Sequence, residues 1–373
     1  MSASPSEPAP TRPVPRPGVM DAPLYVPGTH KAGDDAVPPA ILSANENPIG
    51  CSPKAVEAYR AAADQLNRYP EGGSVDLRAA IGETTGLDPE RIVCGAGSDE
   101  LITLLVRAYA GPGDEVLHSR HGFLMYAISA QTVGATPVAA PEPDLRTDAD
   151  QLLAHVTPKT KIVFVANPNN PTGSWSPESE LLRLRAGLPA HVLLVLDSAY
   201  AEYVREPGYG DGRALVDAGE NVVMLRTFSK IYGLAALRLG WAYAPASILE
   251  ALNRLRSPFN VNAAAQAAGV AAVRDQDFVE RAVADNAEQL RRMTQSLTQL
   301  GLEVPPSVCN FTLAGFKDAE TAQAANRFLL ARGVIPRMVA AYGLPRYLRI
   351  SIGTKEEVTR CLDALADFLK REG

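Results

Sequence analysis

Between residues 92 and 227 short apolar runs alternate with amphipathic stretches. Residues 92–94, 115–118, 136–139, 161–166, 192–197 and 222–227 read as strands. Several of these runs are apolar at every position, as in VLLVL before Asp197. Continuous runs of that length suit strands buried on both faces. Between them lie helical patterns at 99–109, 123–133 and 177–186, the last with Ser176 as its N-cap. Upstream, Ser52 followed by Pro53 opens a helix over 53–66, and 74–85 is a second helix. The alternation predicts an α/β fold, with a mostly parallel sheet covered by helices in a large domain.

After about Asn260 the period lengthens. Helices are expected over 263–273 and 278–300, the second with Asp277 and Glu280 as a capping-box-like start. Strands follow at 308–313, 334–335 and 348–352, with a helix at 319–331. A capping box, Thr354 to Glu357, opens a last helix at 356–370. This is a smaller α+β domain. The organisation is therefore a proline-rich disordered tail (1–20) and an arm with part of the small domain (21–50). A large domain (51–260) and a small carboxyl-terminal domain (261–373) complete it.

Composition narrows the function. The hydrophobic share of 46% and the charged share of 21% are those of a globular chain. No apolar run approaches the roughly 18–20 residues of a membrane helix. A net charge of −6 gives no basic footprint for nucleic acid. The cysteines, Cys51, Cys94, Cys309 and Cys361, are scattered, and the five histidines form no ligand pattern, so no metal site is expected. Residues 1–17 hold six prolines and almost no large apolar residue. They lack the apolar core of a secretory signal, and a cytoplasmic location is expected.

Candidate chemistry lies where the apolar runs end, since ligands of parallel sheets bind at the carboxyl ends of strands. GAGSDE (95–100) runs into a helix and offers free backbone N–H groups to an anion, or simply makes a tight turn. NPNNPTG (167–173) follows the next run. Asp197 ends another; it is either a capping or salt-bridged acid, or a fixed negative charge for a cation such as a protonated ring nitrogen. Lys230 lies near Thr227, Ser229 and Arg238. Two hydroxyls and a guanidinium can hold a phosphate, and a desolvated lysine beside a cation can attack a carbonyl. A phosphate cradle, a Schiff-base lysine and an acid for a ring nitrogen together describe pyridoxal-phosphate chemistry.

With these residues in view, the chain resembles the fold-type I, class I/II aminotransferases, and within them the histidinol-phosphate aminotransferase family. The resemblance rests on YVPG (25–28), SANENPIG (43–50), RYPEG (68–72), GAGSDE, NPNNPTG, DSAYAEY (197–203), TFSK (227–230), LRLG (237–240) and LRISIGT (348–354), in family order. It implies that Lys230 forms the Schiff base and then moves the proton at the substrate Cα. It assigns Asp197 to the pyridine nitrogen, Asn170 and Tyr200 to the ring 3-oxygen, and Phe123 to the ring face. Gly97, Ser98, Asp99, Thr227, Ser229 and Arg238 fall to the phosphate. Tyr69 resembles the tyrosine that reaches the phosphate from a second subunit, implying a homodimer with shared sites. Arg349 matches the arginine for the α-carboxylate, Arg337 a position for the substrate's phosphate, and Tyr25 and Asn45–Asn47 belong to the segment covering the site, with Tyr25 and Asn47 taken as substrate-binding. The implied cofactor is pyridoxal 5'-phosphate. The implied reaction is L-histidinol phosphate with 2-oxoglutarate, giving imidazole-acetol phosphate and L-glutamate. A broad aromatic aminotransferase is the alternative. Departures from the family pattern are Cys51, Ala96, Ser198, Ala236 and Met338.

Overall fold

The computed structural model describes residues 13–26 and 38–372. Its strands, in chain order, are β1 (Ala40–Ile41), β2 (Ile92–Gly95), β3 (Glu115–Ser119), β4 (Thr136–Ala140), β5 (Thr160–Ala166) and β6 (Leu193–Asp197). Then come β7 (Val222–Thr227), β8 (Gly240–Tyr243), β9 (Phe311–Gly315), β10 (Val334–Ile335), β11 (Arg337–Met338) and β12 (Tyr347–Ser351). Seven of them form one sheet in the order β2-β8-β7-β6-β5-β3-β4. The pairs joining β4, β3, β5, β6 and β7 are parallel. β8 runs antiparallel to both its neighbours, β2 and β7.

Why this sheet forms follows from the period of two along a strand. In β5, Ile162 and Phe164 face one apolar layer, while Val163 and Val165 face the other. Leu193–Leu196 of β6 and Val222–Leu225 of β7 divide in the same way, so both faces are covered and these positions are all apolar, with the polar residues only at the carboxyl ends. The mostly parallel sheet flanked by helices is the fold expected. β8 was not: GWAY is short, follows the Lys230 loop directly and shows no alternation. Gly240 explains its fit, since a Cβ there would lie 2.5 Å from the Ser98 nitrogen and 3.0 Å from the Arg226 oxygen. Helices at Ala149–Ala154, Arg213–Asp217 and Ala246–Leu255 were likewise not anticipated.

Several boundaries differ for local reasons. The first helix is Pro53–Ala62 and passes into a 3-10 turn, Ala63–Gln65. The helix at Glu178–Gly187 is preceded by Pro177, not capped by Ser176, whose amide instead donates to Asn167 Oδ1 at 2.8 Å. The long helix Gln276–Gln299 has no side-chain cap. The expected Asp277–Glu280 box does not form: Glu280 pairs with Arg205 at 2.8 Å. Asp275, at that helix start, accepts from Ser52 Oγ at 2.5 Å and Lys54 Nζ at 2.8 Å. The Thr354–Glu357 box forms as expected, with reciprocal bonds of 2.8 and 3.2 Å.

A second sheet, β11-β12-β9, and the parallel pair β1–β10 stand apart from the seven-stranded sheet and share a further apolar core. Ala40 and Leu42 are buried in that core beside Ile350 and Leu365. Ala40 and Ile41 thereby pair with Val334 and Ile335, close to three hundred residues away in sequence. Of the tail, residues 1–12 lie outside the described residues, as do Pro27 and Gly28 of YVPG and the remainder of 27–37. Residues 17–21 form turns, and Arg16 Nη2 donates to the Thr132 carbonyl at 3.3 Å. Among the described residues, no helix is long and apolar enough to cross a membrane.

Candidate active site

A cavity of about 270 Å³ opens where the carboxyl ends of the parallel strands meet β11 and β12. Its floor holds a buried acid, Asp197, and a half-buried amine, Lys230. Asp197 ends β6 and is 6% exposed. Tyr126 Oη donates to its Oδ2 at 2.7 Å, whereas Oδ1 is buried without a hydrogen-bond partner. Burial pushes the Asp197 carboxyl up to about 6, against the opposing pull of the Tyr126 bond first, and then of the Ala199 backbone amide and the Lys230 charge. Lys230 lies across the cavity with its Nζ 3.2 Å from the Ala44 carbonyl. Burial first, and then the Arg349 and Arg238 charges, bring its amine down to about 8. An amine so shifted is partly neutral near pH 8 and available as nucleophile and base.

At one end, β7 and the following loop present Thr227 and Ser229 beside Arg238. The Ser229 amide donates to Thr227 Oγ1 at 3.1 Å, and Arg238 Nη1 donates to Ser229 Oγ at 3.2 Å. The helix Ser98–Tyr109 begins at the same place, with Gly97 before it. Gly97 has φ +87°, and a Cβ there would sit 2.5 Å from Arg238 Nη2. Only glycine therefore lets the guanidinium approach the helix N-terminus. Asp99 pairs with Arg238 at 3.1 Å. Glu100 turns back to accept from the Ala96 amide at 2.6 Å and Asn260 Nδ2 at 2.7 Å. Backbone donors, two hydroxyls and an arginine thus converge on an anion-sized end of the cavity.

On the side wall, Phe123 stands in the loop before the helix Met125–Thr132, a later start than the sequence suggested. That leaves its ring free to line the cavity, edge-on to Tyr126 with centroids 5.9 Å apart. Tyr200 Oη accepts from Asn45 Nδ2 at 2.9 Å, and its ring lies beneath Lys230 Nζ at 5.7 Å. Asn170 Oδ1 accepts from Arg349 Nη1 at 2.5 Å.

The opposite end is cationic. Arg337 on β11 and Arg349 on β12 are directly opposed across the ladder, so both side chains share a face. Arg349 is 6% exposed; its Nη2 donates to the Ser43 carbonyl at 2.6 Å and its Nε is buried without a hydrogen-bond partner. Arg337 donates to the Val26 carbonyl. Tyr25, Arg337 and Arg349 all line the cavity.

Three expected residues do not line it: Gly97, which stands behind Arg238 at the helix start, Asn47 and Tyr69. Asn47 Nδ2 donates to the Ile231 carbonyl at 2.7 Å, so it braces the backbone next to Lys230. The asparagine that enters the cavity is Asn45, held by Ser351 Oγ and by Asn310. Tyr69 is 83% exposed and stacks on Phe259 at 4.7 Å, outside the cavity of a single chain. Residue-by-residue reading missed Tyr126 and Tyr342. Tyr126 follows Phe123 by three residues, a spacing that can place both on one side. Tyr342 lines the wall next to Arg337 and its carbonyl accepts from His121 Nδ1 at 2.6 Å, a contact between distant segments. Among the described residues no group of His, Cys, Asp and Glu side chains could hold a metal ion.

Residues 39–365 match the family described as Aminotransferase class I and II. The chain is 55% identical over 364 residues to a histidinol-phosphate aminotransferase of Rhodospirillum centenum, with 96% of this chain and 99% of that protein covered. It is 56% identical over 362 residues to one from Paramagnetospirillum magneticum, with 96% and 99% covered. The crystal structure of histidinol-phosphate aminotransferase from Sinorhizobium meliloti in complex with pyridoxal-5'-phosphate aligns with a TM-score of 0.89 at 30% identity, over 98% of this chain and 99% of that one. With that match running through every strand end that builds the cavity, the chain belongs to the class I and II aminotransferases.

Proposed function

We propose that the chain is a pyridoxal-phosphate-dependent transaminase. Its amino donor is L-histidinol phosphate, the compound in its relatives' names, and its acceptor is 2-oxoglutarate. The residues present fit the cofactor. Asp197 keeps one buried carboxylate oxygen unpartnered, as a cationic ring nitrogen requires, and the Ser229–Arg238–Gly97 corner suits a phosphate. Pyridoxal phosphate supplies the carbonyl that takes up the amino group and a ring that withdraws the Cα electron pair.

The chain's own residues do the rest. Ser98, Thr227, Ser229 and Arg238 hold the phosphate, and Asp99 keeps Arg238 aligned. Phe123 and Tyr200 would bound the ring, and Asn170 and Tyr200, which both line the cavity, would take its 3-oxygen. Asp197 Oδ1 holds a proton at the ring nitrogen. Lys230 Nζ removes the proton from the donor's Cα and returns it on the other side of the exchange. Burial, and then the charges of Arg349 and Arg238, keep the amine from being permanently protonated.

The observation that carries the substrate reading is the opposed pair Arg337 and Arg349. Like charges directly opposite destabilise a sheet, and a dianionic phosphate or the carboxylates of 2-oxoglutarate offset that cost. Replacing Arg337 by Ala should lower kcat/KM for histidinol phosphate about 100-fold, as expected for a charge-assisted bond. Phenylalanine turnover should fall much less. Equal losses for both donors would favour the broad aromatic aminotransferase.

We further propose a homodimer with shared sites, in which Tyr69 serves the second subunit's phosphate. Its exposure together with Phe259 supports this, since exposed aromatic pairs mark contact surfaces. A fully active monomer in light scattering would remove the assignment. A cytoplasmic location goes with small, charged substrates.

A further inference from the structure

Tyr126 is fully buried and cannot swing. Its ring stacks on Phe164 with centroids 4.4 Å apart and an interplanar angle of 5°, and it meets Phe123 edge-on at 86°. The hydroxyl therefore has a fixed direction, toward Asp197 Oδ2 at 2.7 Å. Burial, and then the Asp197 charge, hold the phenol well above its usual range, so it donates a hydrogen bond and keeps its proton.

A carboxylate at the end of a buried strand would otherwise take up a proton or rotate between partners. A hydroxyl fixed on one oxygen stabilises the anion and settles which oxygen remains available. The other oxygen, Oδ1, is left buried and unpartnered beside the cavity. The same side chain also sets the position of Phe123, which lines the cavity.

We propose that Tyr126 is a positioning residue for the cofactor's ring nitrogen: by engaging Asp197 Oδ2 it keeps the acid charged and presents Oδ1 as the acceptor. This rests on the reading of Asp197 as the ring-nitrogen partner. It adds that the strength of that contact is set from behind, by a side chain that touches no ring nitrogen itself.

The test compares two probes on the unloaded full-length protein, pyridoxal phosphate and its 1-deaza analogue, in which a C–H replaces the ring nitrogen. Equilibrium affinities are measured for the parent protein, Tyr126→Phe and Asp197→Asn. Tyr126→Phe retains both aromatic contacts and removes only the hydroxyl. The parent should prefer pyridoxal phosphate. Tyr126→Phe should reduce that preference about 10-fold, the worth of one charge-assisted hydrogen bond, and leave deaza binding within about 2-fold. An unchanged preference in Tyr126→Phe, even with both probes weakened, overturns the proposal and leaves Tyr126 a packing residue. If Asp197→Asn also preserves the preference, or the parent shows none, the Asp197 reading itself fails and the Tyr126 inference with it. The ratio of affinities decides in each case, whatever the variant does to overall stability.

Discussion

Two buried charge clusters lie within a few residues of each other along β6 and β7, and they are built on opposite principles. Arg226, one residue before Thr227, sits 2.8 Å from Glu202 and 3.0 Å from Asp211, with its guanidinium 5.6 Å from the Trp241 ring centroid. The Glu202 contact is an ion pair without hydrogen-bond alignment. Burial draws Arg226 down, yet Glu202 and Asp211 hold it above its usual value. In the cavity the reverse holds. Asp197 is pushed up and Lys230 down, each toward its neutral form. Opposite charges were brought together behind the sheet and left apart in front of it. The first arrangement fastens the loop after β6 to β7; the second leaves groups with unmet electrostatic demand that a ligand can meet.

The contrast can be broken by three measurements. The largest effect is on chemistry. Lys230→Ala should lower transamination by at least ~10³-fold, since it removes both nucleophile and proton carrier. Borohydride reduction of the loaded parent protein should label Lys230 alone in peptide mapping. Label on another lysine would end the proposed mechanism.

Next comes stability behind the sheet. Glu202→Ala leaves Arg226 buried with one partner fewer and should cost about 3 kcal/mol in urea denaturation. The turnover of the protein that remains folded should stay within a few-fold. A cost below ~1 kcal/mol would mean that the pair does not fasten the loop.

Smallest is the gain expected in front. For Asp197 the shift from 3.8 to about 6 corresponds to about 3 kcal/mol of destabilisation in the unloaded protein. The sign follows from the raised folded value. The penalty is absent below about pH 4, develops as pH rises through about 6, and is complete at pH 7. Asp197→Asn should therefore stabilise the unloaded protein by about 1–3 kcal/mol at pH 7 and hardly at all at pH 4. An equal effect at both pH values would show that the Asp197 charge is not strained.

How much of this was legible varies with the range of the interaction. Lys230 and Asp197 are readable because each lies at or just past the end of an apolar strand, and a parallel sheet gathers such ends at one edge; Arg238 is readable by its spacing eight residues after Lys230. The Thr354–Glu357 box is readable because both partners lie within one turn. The Ser176 cap and the Asp277–Glu280 start were misread because the same residue types had distant alternatives. Ser176 is engaged by Asn167 and Glu280 by Arg205. Asn47 was misplaced for a related reason: SANENP offers two asparagines, and only the backbone bend at Asn45, with φ +55°, decides which enters the cavity. Tyr342 reaches the wall through His121, more than two hundred residues away in sequence, and no local pattern announces it.

The sequence by itself determined the α/β layering and the strand-end chemistry, because burial on two faces and polarity at a strand terminus are properties of consecutive residues. Only the tertiary structure decided the partners. The insertion of β8 beside β7, the pairing of β1 with β10, and the opposition of Arg337 to Arg349 depend on sheet order, which no single segment encodes. The Tyr126 bond to Asp197 is of the same kind. A carboxylate's need for a donor is written in its burial, but which side chain meets that need is fixed only when the helix packs against the sheet.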